Sequence, residues 1–203
     1  MLAAGEIQVW RVRLDRLDES WLPAASPEEE ARAARFHAAP DGLRYLLSHR
    51  ALRAALGRLA GGPLEFAAME RGKPYLPGFP ELKFSLSHSG EMALIAAAPG
   101  VEVGADIERV RAVPDCESIA ERFFPPSEAA AFAAAGRDRE REFFRRWTRI
   151  EAMLKARGVG LYGAGREIEG EWTVGEIAVP GEGDYCAAVA AVSPGMRIVV
   201  EDL

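Results

Sequence analysis

Two hydrophobic periods take turns along the chain, one close to 3.6 residues and one of two, and their order predicts the elements. Ser26, Pro27 and Glu29 form a capping-box signature that opens a short helix to about His37. Leu43, Leu47, Ala51, Ala54 and Ala55 are spaced for a second helix, with Asp41 as its cap and Gly61, Gly62 and Pro63 as its stop. Residues 64–68, 82–88, 92–98 and 101–108 are short apolar or β-prone runs separated by Gly, Pro and Ser, which predicts an antiparallel meander. The stretch 71–81, RGKPYLPGFPE, reads as a loop. Helical spacing returns at Ser118, breaks at Pro125 and Pro126, and resumes through Glu128 to Gly136. The longest helix is expected to start near Asp138, with Phe143, Trp147, Ile150 and Leu154 as its apolar stripe and Gly158 as its stop. Residues 171–179, 185–192 and 196–200 are strand-like.

Helices followed by strands therefore occur twice, which predicts an α+β fold of two similar α/β lobes, residues 1–104 and 105–203. Each lobe is expected to pack a small antiparallel sheet on helices. The order of elements carries this division, not an internal sequence repeat.

Composition narrows the possibilities. A chain of 203 residues can bury a full core. No apolar run approaches the roughly 20 residues that a membrane-spanning helix needs. Glu6 lies close to the start, with no basic region before it, so the N-terminus does not read as a secretory leader and a cytoplasmic location is expected. The two cysteines, Cys116 and Cys186, are far apart and lack metal-ligand spacing, so both are expected as free thiols. A net charge of -6 argues against nonspecific nucleic-acid binding. The arginines of residues 137–149 form either a local basic face or an ordinary solvated helix face.

Three short stretches hold the candidate chemistry. In VGADIE (103–108), read as a strand, Val103, Ala105 and Ile107 face one way while Asp106 and Glu108 face the other. Two carboxylates side by side repel, and a hard cation such as magnesium or manganese is one reason to tolerate them; a solvated strand face is the plainer alternative. In WTRIEAMLK (147–155), Glu151 lies one turn from Trp147 and one turn from Lys155. Glu151 and Lys155 read either as a surface ion pair or as a third carboxylate and a cation at the border of the apolar stripe. In FSLSHSG (84–90), Phe84, Leu86 and His88 share a strand face, and His88 reads either as a site residue or as a core histidine satisfied by a backbone carbonyl. A serine-hydrolase reading is poor, because there is no G-x-S-x-G elbow and no Asp or Glu placed to suggest a triad. His37 and His49 carry no usable signal.

In order and spacing, SPEEEARAARF (26–36) with the helix through Arg44, RGKPYLP (71–77), FSLSHSG, VGADIE, RFFPPSE (122–128) and WTRIEAMLKARGVGL (147–161) resemble the 4′-phosphopantetheinyl transferases. The likeness is to their larger, single-chain pseudo-dimeric type, the surfactin-synthetase-activating kind. That resemblance implies two lobes related by a pseudo-twofold axis, with coenzyme A in the cleft between them. The reaction it implies moves 4′-phosphopantetheine from coenzyme A to a serine of an acyl or peptidyl carrier protein and releases 3′,5′-ADP. It assigns Asp106, Glu108 and Glu151 to Mg2+, with Mn2+ as the alternative, and gives Glu151 a further part as base. His88 and Lys155 match phosphate ligands, and Arg32, Arg44 and Lys73 match basic positions at the 3′-phosphate and adenosine end. Ser87 and Ser89 would support the same loop, and Glu128 matches an acidic position near the site. The carriers would belong to fatty acid, polyketide or nonribosomal peptide synthesis. Two lobes in one chain make a monomer the expected state, with neither nucleic acid nor membrane as partner. RFFPP (122–126) and the arginines at 137, 139, 141, 145 and 146 are candidates for carrier docking.

Two positions depart from the family pattern. Ile150 stands where the family helix usually has lysine, and Glu29 where relatives with a fuller phosphate clamp often have lysine. Both motivate an alternative, a catalytically impaired coenzyme A or carrier-binding protein. The second predicts looser coenzyme binding and tolerance of dephospho-coenzyme A. A metal-dependent phosphodiesterase is the third reading, since the same carboxylates could activate water.

Overall fold

A computed structural model describes residues 2–62, 64–136, 138–181 and 183–203, with the backbone alone described at Tyr162. Pro63 of the expected helix stop and Arg137 of the arginine run lie outside the described residues. The elements in chain order are β1 (Glu6–Arg13), α1 (Pro27–Ala33), α2 (Ala39–Ala60), β2 (Ala67–Ala68), β3 (Pro74–Tyr75), β4 (Leu82–Ser89), β5 (Met92–Pro99) and β6 (Val103–Arg109). There follow α3 (Cys116–Phe123), α4 (Pro126–Ala133), α5 (Arg139–Arg157), β7 (Thr173–Glu176), β8 (Tyr185–Ala191) and β9 (Arg197–Asp202).

Local signals set most boundaries. Ser26 and Glu29 close the capping box in both directions, which satisfies two of the orphan N–H groups of α1. Helix α2 starts earlier than Asp41, because Pro40 presets the backbone of the first turn; Ala38 holds the N-cap position without a side-chain bond. Asp41 instead accepts a hydrogen bond from Arg44 at 2.9 Å. Gly61 and Gly158 end α2 and α5 in left-handed conformations, φ 69° and 68°.

The fold is mixed α and β, with two small sheets packed on helices. One sheet has the order β4-β5-β1-β9 and the other β6-β8-β7, with β2 and β3 as a separate two-stranded ribbon. The runs from 64 to 108 do not form one meander. β4 and β5 make an antiparallel hairpin, whereas β6 leaves it, pairs with β8 and packs its apolar side back on the first sheet. β1, to which the sequence pattern assigns no element, sits between β5 and β9 and pairs parallel with β9. Tyr75 of the expected loop pairs with Ala67.

The layers follow from which face each strand buries. Ile7, Val9, Leu94 and Ala96 of the first sheet pack on Val103, Ala105, Ile107 and Val189 of the second. The opposite face of the first sheet, including Trp10, Ile95 and Phe84, packs on Ala51, Leu52 and Leu56 of α2. Helix α5 covers the second sheet, where Ala152 meets Ala188 and Ala190. Small residues at this contact let the helix backbone come close to the sheet. A Cβ at Gly104 would lie 1.9 Å from the Ala152 carbonyl oxygen, so only glycine fits.

Candidate functional site

The close packing of α5 on β6 sets the side chains of both elements against one another. Asp106, 4 % exposed, accepts hydrogen bonds at Oδ1 from Lys155 Nζ at 2.6 Å and from Ser87 Oγ at 2.8 Å. Its other oxygen, Oδ2, is buried and has no hydrogen-bond partner. Such an orphaned buried carboxylate oxygen is costly unless something else binds it. Glu108 lies two residues along the same face and accepts from Ser89 Oγ at 2.8 Å and from Arg111 at 3.0 Å. Glu151, half-buried on α5, has neither hydrogen bond nor ion pair among the described residues. Burial pushes its carboxyl above the ordinary range. The charges of Asp106 and Glu108 push it the same way, and Lys155 opposes them.

Beside these carboxylates opens a cavity of about 1100 Å³. Its walls come from α1 and α2 (Arg32, Tyr45, His49, Arg53), from β4 (Phe84, Leu86, His88), from the 66–74 segment with Lys73, and from the end of α5 with Lys155. Lys155 lines the cavity while it holds Asp106, and so couples the cavity to the carboxylate group. His88 makes no hydrogen bond among the described residues, so the expected alternative of a core histidine satisfied by a carbonyl does not hold. Burial lowers its pKa, and the nearby His49 and Lys155 lower it further. The ring is neutral near pH 7 and faces the cavity.

Of the candidate residues, Asp106, Ser87 and Lys155 are joined by direct bonds, Glu108 and Ser89 form a second bonded pair, and Glu151 feels the charges of Asp106, Glu108 and Lys155. Arg32, Lys73, His88 and Lys155 line the cavity. Arg44 does not; it is bound to Glu91 and Asp41. Lys73 is also committed, to Glu102 and to the Ala156 carbonyl at 2.6 Å, where it fastens the turn between β2 and β3 to the last turn of α5. Glu128 pairs with Arg146 and Arg149. Arg53, which its sequence context does not single out, stands in the cavity wall, bound to Glu29 at 3.0 Å and stacked over Phe66. Glu91 likewise carries no signal, since a lone glutamate after a turn reads as solvated.

Oxygen donors with an unsatisfied buried member suit a hard cation, and here the fit lies in donor chemistry. Among the described residues, no group of three or more His, Cys, Asp or Glu side chains is already drawn together around a metal position. Lys155 occupies Asp106 Oδ1 instead.

The arginine run resolves as a paired helix face. Arg139 meets Glu117, Arg141 meets Asp184, Arg145 meets Glu176, and Arg146 meets Glu128 and Glu142. Its charge is neutralised within the chain, which favours the solvated-face reading over docking. No helix of the described residues is long and apolar enough to cross a membrane.

Comparison with known proteins places these observations in a family. The sequence profile of the 4′-phosphopantetheinyl transferase superfamily matches residues 102–189, the segment that contains β6 and α5. The chain is 37 % identical over 170 residues to 4′-phosphopantetheinyl transferase HetI of Nostoc, covering 79 % of this chain and 72 % of that protein. It is 30 % identical over 164 residues to a 4′-phosphopantetheinyl transferase of Bacillus subtilis, covering 76 % and 72 % of the two chains. To 4′-phosphopantetheinyl transferase Sfp of Bacillus subtilis it is 32 % identical over 148 residues, covering 71 % and 65 %.

Proposed function

The chain belongs to the 4′-phosphopantetheinyl transferase superfamily and is a transferase of that kind, and we propose that it moves phosphopantetheine from coenzyme A to a carrier-protein serine in a metal-dependent reaction. The observation that carries this reading is the carboxylate group beside the cavity, with Asp106 Oδ2 buried and unpartnered. Asp106, Glu108 and Glu151 would hold Mg2+, or Mn2+. When bound, the ion would neutralise charge on the pyrophosphate as the phosphoanhydride bond breaks.

The chain's own residues supply the rest. The serine Oγ of the carrier bonds to the pantetheine-side phosphorus, the P–O bond to 3′,5′-ADP breaks, and the serine proton must be taken up. Glu151 suits that last step, because burial and its two acidic neighbours raise its affinity for a proton. His88, neutral and unpartnered at the cavity wall, can donate to a phosphate oxygen. Lys155 supplies a positive charge that Asp106 already orients. In the cavity wall, Arg32 has no carboxylate partner among the described residues and rests over the Tyr45 ring, so it is a cation available to the 3′-phosphate. Arg53 and Lys73 are held by Glu29 and Glu102, consistent with looser coenzyme binding. The division into lobes 1–104 and 105–203 is part of this proposal, with the serine-rich face of β4 and the acidic face of β6 meeting where they join.

The test is the intact mass of an apo carrier protein incubated with this chain, coenzyme A and Mg2+. A gain of about one phosphopantetheine, on the order of 340 Da, lost with a chelator and in Asp106→Ala and Glu151→Ala, is expected. Full transfer by both variants would sink the mechanism, and transfer in chelator would sink its metal dependence. Release of pantetheine phosphate without a carrier would point to the phosphodiesterase reading instead.

A further inference from the structure

β4 and β6 run beside one another without a backbone ladder between them, since β4 pairs with β5 and β6 with β8. Phe84, Leu86 and His88 line the cavity, as does Ser85, while the hydroxyls of Ser85, Ser87 and Ser89, at alternate positions of the strand, all bond to β6. A polar strand face that would normally meet water is here an internal seam, with Ser85 and Ser87 buried.

Each hydroxyl has one proton to give, and the three use it differently. Ser85 Oγ accepts the Ala105 N–H at 3.0 Å and bonds no carboxylate. Ser87 Oγ gives its proton to Asp106 Oδ1 at 2.8 Å and accepts Lys155 Nζ at 3.0 Å. Ser89 Oγ gives its proton to Glu108 Oε2 at 2.8 Å and accepts the Arg109 N–H at 3.1 Å. Each carboxylate is thus held by one oxygen, and at Asp106 the other is left buried without a partner.

We propose that Ser87 and Ser89 are positioning residues that aim Asp106 and Glu108 at a common cation, whereas Ser85 only fastens the two strands. The inference rests on the metal-dependent reading above and gives these serines a role distinct from support of a phosphate-binding loop. A hydroxyl suits such positioning because it fixes a carboxylate rotamer without adding a charge that would compete with the ion.

The experiment titrates Mn2+ alone into the full chain, without donor or carrier, and follows free Mn2+ by electron paramagnetic resonance; thermal melting of each variant runs beside it. Ser87→Ala and Ser89→Ala are expected to weaken Mn2+ binding by roughly 10-fold or more, and Ser89→Thr to restore it. Ser85→Ala should keep the wild-type affinity while its melting midpoint falls by about 3–8 °C, because a buried N–H loses its acceptor. Equal affinity in all variants overturns the proposal, and so does an equal loss in Ser85→Ala, which would report general loosening. Wild-type chain that binds no Mn2+ overturns both this inference and the metal reading; wild-type binding with unaffected variants overturns this inference alone. If Ser87→Ala melts below the assay temperature, Ser89→Ala, at the less buried end of the seam, decides.

Discussion

Ile150 shows how burial decides between two readings of one residue. It is 5 % exposed and packs with Phe143, Phe144 and Leu154 in the cluster under α5. Packing therefore gives isoleucine its own reason to stand where the family usually has lysine. Ile150→Lys places an ammonium among aromatic rings and should lower stability by roughly 3 kcal/mol without raising the transfer rate. Denaturant midpoints and initial rates check both, and a faster enzyme of unchanged stability would restore the impaired-protein reading. The two thiols give a second prediction at this scale. Cys116 and Cys186 are buried, and burial lifts the pKa of Cys186 to about 11. Thiolate is the reactive form, so iodoacetamide at pH 8 should leave both unmodified in the native chain and label both after unfolding, read by intact mass. Rapid labelling of either in the native chain would contradict the packing. The sign of the pH effect follows: above pH 9 an unfolded Cys186 ionises before the folded one, so this group's contribution to stability is lost as pH rises toward about 11. Some residues are legible in the sequence and others are not. Strand alternation separates Asp106 and Glu108 from Ile107 correctly, because one period decides it. The carboxylate bonds of Ser87 and Ser89 are not legible, because a hydroxyl has no sequence pattern that names its partner.

Among the elements, α5 is the most readable, since its apolar stripe, its start near Asp138 and its Gly158 stop are all local signals. β1 is the least readable. Its interior residues are covered on both faces, so no clean alternation marks it. The spacing between β6 and α5 depends on Gly104, which no local signal identifies as a contact. Gly104→Ala should push α5 away, with a loss of several kcal/mol and a fall in transfer, because Glu151 and Lys155 ride on that helix. Gly57 is the control. It lies inside α2 with open space where a Cβ would go, so Gly57→Ala should raise stability by about 0.5–1 kcal/mol. Urea unfolding of the pair tests the argument: similar effects of the two substitutions would mean that the helix does not press on the strand.

For the whole molecule, the shared core matters more than any boundary in the sequence. One apolar cluster joins residues of both sheets, β9 returns to pair with β1, and Lys73 ties the turn between β2 and β3 to the end of α5. Unfolding is therefore expected as a single cooperative transition in calorimetry, with equal van't Hoff and calorimetric enthalpies. Two resolved transitions would show that the proposed lobes are separate folding units.

By itself the sequence determined the α+β class, most helix ends, the pairing of Asp106 with Glu108 on one strand face, and the family resemblance. These depend on periods and caps that act within a few residues. Only the tertiary structure decided that the serine face of β4 is internal and that Arg44, Arg53 and Lys73 are bound by carboxylates. Each of these depends on which distant segments pack together, and a polar side chain reads the same in sequence whether its partner is water or a residue far along the chain.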